Sequence, residues 1–142
     1  MTIQLKQKGM NDRRYKYNAD GTLRANDLSS SEILLTEVSS GYGSNDASEI
    51  SFDHYKAMFG MLPMMRTLAQ LYDKASFKTF SYVKIHFLHA HGHSIRHWSM
   101  STQAPSIYVM NKEQRVDVAI GFSEKDITLL PFICFFKTLA VS

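Results

Sequence analysis

The chain has 142 residues, 44% of them hydrophobic, and a formal net charge of +3, so it has the length of one domain and enough apolar material for a core. This composition argues against disorder of the whole chain, and no apolar run reaches the ~18 residues of a membrane span. The N-terminal stretch MTIQLKQKGMNDRRYKY has no apolar h-region and does not read as a secretory signal.

Charge is segregated along the chain. Residues 1–24 carry six basic residues (Lys6, Lys8, Arg13, Arg14, Lys16 and Arg24) against two aspartates. Residues 25–50 carry five acidic residues and no Lys or Arg, and residues 51–142 carry ten basic against six acidic. A basic arm of this kind can neutralise phosphates and release counterions. Residues 1–28 are polar with turn signals at 18–21 and 26–27, so they read as a basic flexible arm ahead of one globular domain at 29–142.

The first predicted strand is 31–38 (SEILLTEV), with Ile33 and Leu35 on one side and Leu34, Thr36 and Val38 on the other. The Ser-, Gly- and Asn-rich residues 39–48 follow as a loop. Ser51 is the expected helix N-cap, with Asp53 in the first turn. Apolar residues then recur at helical spacing from Phe52 to Tyr72. Pro63 is expected to split this segment into a short helix at 52–60 and a second at 63–74. Met58, Met61, Met64 and Met65 form a face expected to fill the core.

The period changes to two in a strand expected at 77–89, where Val83, Ile85 and Phe87 form the apolar face. Further strands are expected at 94–100, 106–110 and 115–122. Residues 127–140 are almost wholly apolar and read as one buried strand, with Pro131 as a break. Cys134, the one cysteine, falls in that run and is expected to be a small buried hydrophobe; a single cysteine excludes an intrachain disulfide.

Five histidines cluster at 86–97. Gly92 marks a turn among them. Residues two apart on a strand share a side, so His89, His91 and His93 are the candidate metal ligands. No Asp or Glu lies between Asp73 and Glu113, so any partnering carboxylate must come from elsewhere in the fold. Arg96, His97 and Trp98 mix basic and aromatic groups in a way that suits stacking beside phosphate contacts. No serine sits in a GxSxG elbow, and no phosphate-binding glycine fingerprint occurs.

The segment MLPMMRTLAQLYDKASFKTFSYVKIHFLHA resembles the helix-into-strand passage of single jelly-roll capsid proteins of small, satellite-like viruses. Leu68, Leu71, Tyr72 and Asp73 look like the helix end, and Phe77, Phe80, Val83, Ile85 and Phe87 like the strand. The resemblance implies a mainly β fold, an antiparallel jelly-roll-like sandwich with one helical segment. It also implies a non-enzymatic coat protein without a cofactor, found in the virion or cytoplasm. Such a protein assembles with itself and packages nucleic acid, expected to be RNA, through Lys6, Lys8, Arg13, Arg14, Lys16 and Arg24. A jelly roll has eight strands, whereas the pattern here supplies five or six. The alternatives are a small α+β domain, a helix packed on a curved antiparallel sheet, that binds a ligand or partner, and a histidine-site metalloprotein.

Overall fold

Residues Ser31–Val38 form strand β2, and their alternation places Leu35 in the core while Val38 stays exposed. In the computed structural model, which describes residues 19–142, β2 is one of five strands. The others are β1 (Gly21–Ala25), β3 (Ile85–His91), β4 (Ser94–Ala104) and β5 (Ile107–Asp117). They form one sheet in the order β1-β2-β3-β4-β5. All neighbours are antiparallel except β2 and β3, which run parallel. A parallel pair needs a long crossover, and this is helix α1 (Ala47–Leu71). A second helix, α2 (Lys125–Val141), follows β5. About 42% of the described residues are helical and 34% are strand. The domain is therefore a mostly antiparallel sheet with helices, richer in helix than a mainly β reading allows.

The core lies between α1 and the sheet. Leu35, Ile85, Phe87 and Met100 meet Ala57, Met61, Met64, Met65 and Leu68 of α1 there, all 0–2% exposed. The methionine face thus fills the core, as its unbranched side chains allow. Phe52, Tyr55 and Phe59 contribute to the helical apolar spacing but lie outside the buried stripe, at 60–67% exposure.

Several boundaries differ from the sequence reading. The helix is one element, not two: it runs through Pro63 and is capped by Asp46, not Ser51, with the Asp46 carboxylate accepting from the Ser48 and Glu49 amides. Packing of Ala57 and Met61 before the proline, and Met64 and Leu68 after it, against one sheet outweighs the hydrogen bond that Pro63 removes. The strand expected from 77 begins only at 85, because Ser76 caps a helical turn at Phe77–Phe80. The strands expected at 106–110 and 115–122 merge into one strand, β5, whose polar middle is held by pairing with β4. It ends at Asp117: residues 118–121 are outside any strand and Phe122 opens a 3-10 turn, with Ile120 and Phe122 exposed instead of facing a core.

The strand expected at 127–140 is helix α2. An all-apolar run has no period that separates strand from helix. Most of this helix is exposed, Cys134 included. Residues 21–28, assigned to the arm, form β1 and a 3-10 turn. The remaining arm residues Lys6, Lys8, Arg13, Arg14 and Lys16 lie outside the described residues.

Candidate functional site

Strand alternation divides the four strand histidines, His86, His89, His91 and His97. On the α1 side of the sheet stand His89 and His91 of β3, together with Arg96 and Trp98 of β4 and Lys112 of β5. The cross-strand pairs His89–Arg96, Phe87–Trp98 and Trp98–Lys112 place these residues on one face. The first turns of α1 add Ile50, Ser51, His54 and Tyr55. Together these nine residues line a cleft of about 330 Å³, within the usual range of small-molecule sites. Among the described residues no carboxylate lines it. Two fixed cations, three imidazoles and two aromatic rings do.

His89 is held from behind. Ser39 Oγ lies 2.6 Å from Asp53 Oδ2 and 2.7 Å from His89 Nε2, and all three side chains are buried. A hydroxyl has one proton, and an ionised carboxylate only accepts. Ser39 therefore donates to Asp53 and accepts from His89 Nε2–H, which leaves the imidazole lone pair on Nδ1. This arrangement does not activate Ser39 as a nucleophile, because no lone pair of His89 is aimed at its proton. Lys56 sits beside the group, 3.1 Å from Glu37 and 3.8 Å from Asp53.

Burial lowers the pKa of His54, His89 and His91, and takes His89 to about 4 with help from His91, His54 and Arg96. These imidazoles are neutral at pH 7, so the positive charge of the cleft rests on Arg96 and Lys112. Arg96 is itself under electrostatic stress. Burial first, and then Arg115 opposite it, depress its pKa, and Asp117 offsets only part of this. Its guanidinium donates 3.3 Å to the His91 carbonyl. Two further donors or acceptors in the lining, His91 Nδ1 and Trp98 Nε1, are buried without a partner among the described residues.

Comparison with known protein families, with curated proteins and with solved structures found no match to this chain. The site therefore stands on its geometry alone.

The sequence candidates separate as follows. His89 and His91 come together, with ring centroids 4.7 Å apart. His93 does not join them: it lies beyond Gly92 and packs edge-on against Tyr42 at 4.8 Å. Among the described residues no group of three or more His, Cys, Asp or Glu side chains is arranged to hold a metal ion. Arg24 lies on β1 and pairs with Glu32 at 3.6 Å, far in the strand order from β4 and β5. The Arg96-His97-Trp98 mixture is split by the pleat, since Arg96 and Trp98 face the cleft and His97 the opposite side.

His54 and Lys112 had no sequence signal tying them to this site. His54 is a polar residue within a helical apolar pattern, and that phase places it beside the buried stripe. Lys112 reaches the cleft only because β5 pairs with β4 across a bulge at His97/Trp98.

On the other face, His97 donates from Nε2 to His86 Nδ1 at 2.8 Å when both rings are neutral. Gln114 donates both to His97 Nδ1 (3.2 Å) and to the Phe135 carbonyl (2.9 Å), which ties α2 to the sheet. Burial, then His97 and Lys84, takes the His86 pKa to about 4, while Glu113 opposes the shift.

Proposed function

We propose that the chain is a small α+β binding domain whose cleft between α1 and the sheet takes a small anion bearing a carboxylate or phosphate group. The observation that carries this reading is the electrostatic imbalance of the cleft. Arg96 and Lys112 line it, Arg115 stands opposite Arg96, and among the described residues no acidic side chain lines it. Clefts lined by one sign of charge concentrate counter-ions of the other. An arginine presents a planar fork suited to carboxylate and phosphate oxygens. Trp98 and Tyr55 supply apolar surface for the rest of the ligand. Ser39 is not set up as a nucleophile, which supports a binding role for this cleft.

Calorimetric titration with citrate, inorganic pyrophosphate and adenosine monophosphate tests it. At least one should bind in the micromolar to millimolar range, more weakly at high salt. Binding should be lost in Arg96→Gln. Absence of heat with all three at low ionic strength would overturn the reading.

The self-assembling coat protein of jelly-roll type is the second reading. The exposed apolar surface of α2 favours association between copies. The single sheet of the described residues favours the binding domain, since a sandwich needs a second sheet facing the first.

A further inference from the structure

Helix α2 is apolar around nearly its whole circumference but is buried only at Phe135. At 100° per residue, Phe135 and the half-buried Thr128, Phe132 and Leu139 point toward the sheet. The opposite side carries Asp126, Leu130, Ile133 and Lys137, spaced 4, 3 and 4 residues apart, which is the seam spacing of paired helices. All four are exposed, Leu130 at 68% and Ile133 at 54%.

This outer seam is self-complementary about a single point. In an antiparallel pair centred midway between Leu130 and Ile133, Leu130 of one copy meets Ile133 of the other, and Asp126 meets Lys137. Both contacts then occur twice, as a two-fold interface requires. Antiparallel helices also oppose their dipoles favourably. Neither Asp126 nor Lys137 forms an ion pair within the described residues.

The area suits a reversible contact. Ile127, Leu129, Leu130, Ile133, Phe136 and Val141 are 40–80% exposed. At on the order of 150 Å² per large side chain they offer roughly 550 Å² per copy, the upper end of what a monomer leaves open. Two copies would bury at most about 1,100 Å², at the low edge of specific interfaces. No helix of the described residues is long and apolar enough to cross a membrane.

We propose that α2 pairs with α2 of a second copy in this antiparallel register, giving a two-fold dimer of moderate affinity.

Sedimentation equilibrium of the purified chain across micromolar to submillimolar concentrations tests the proposal, with circular dichroism confirming that each variant is folded. The wild type should pass from monomer to dimer. Asp126→Lys places like charges opposite each other twice and should weaken dimerisation about tenfold. The double variant Asp126→Lys/Lys137→Asp should restore it. The two positions lie about 16 Å apart along one helix, too far to pair within a copy, so rescue reports contact between copies. A monomer at every concentration, or a charge swap that fails to rescue, would overturn the register and with it the proposal.

Discussion

Arg96 and Arg115 face each other across β4 and β5, and like charges in directly opposed cross-strand positions destabilise a sheet. Arg115 is relieved by Asp117 at 3.0 Å, whereas Arg96 has only a carbonyl. A residue retained for binding at a cost to stability is the expected explanation. Arg96→Met should therefore raise the stability of the ligand-free protein by about 0.5 kcal/mol while removing anion binding. Urea denaturation measures the first effect and titration the second; a variant that is less stable and still binds would contradict the account. Ser39 makes the opposite case. Its hydroxyl satisfies both Asp53 and His89 in a buried setting, so Ser39→Ala should cost about 1–3 kcal/mol, read as a lower urea midpoint.

Gly92 links β3 to β4 with a φ of +61°, and an added Cβ would stand 2.7 Å from Asn45 Oδ1. Gly92→Ala should destabilise the turn by the ~1 kcal/mol of the left-handed backbone, with the Asn45 amide turning aside, which thermal melts would show as a lower Tm. This turn was legible in the sequence, because glycine among histidines between two apolar alternations has few other readings. So was the inner face of β3: Ile85 and Phe87 are both fully buried. Alternation of period two survives translation into structure wherever one face meets a core. The failures share a cause as well. Local rules break the helix at Pro63, and tertiary packing overrides them; the run 127–140 has no period to read. The cleft was half legible. His89 and His91 follow from strand parity, but Arg96 and Lys112 are joined to them only by pairings between distant strands. His93 was lost from the cluster because the turn at Gly92 sends it toward Tyr42.

Across the whole molecule the histidines couple folding to pH. Burial lowers the pKa of His54, His86, His89, His91 and His97, with His86 and His89 reaching about 4. In the unfolded chain each takes up a proton near 6.5. The unfolded state therefore binds more protons between pH 6.5 and about 4, and stability present above 6.5 is lost as pH falls through that window. Glu113, held below the usual carboxylate range first by its hydrogen bond from Ser99 and also by Lys84, adds a loss in the same direction at lower pH. Urea midpoints should thus fall steadily from pH 7 to pH 4.5, and a flat profile would contradict neutral burial of these rings.

The chain has one tryptophan, and Trp98 lines the cleft, so its intrinsic fluorescence reports directly on occupancy. Titration with citrate, pyrophosphate and adenosine monophosphate at low ionic strength should give a saturable change in Trp98 emission for at least one anion, abolished by Arg96→Gln. Unchanged emission with all three up to roughly 10 mM, a range that detects binding weaker than about −4 kcal/mol, would contradict the assignment of this cleft as an anion site.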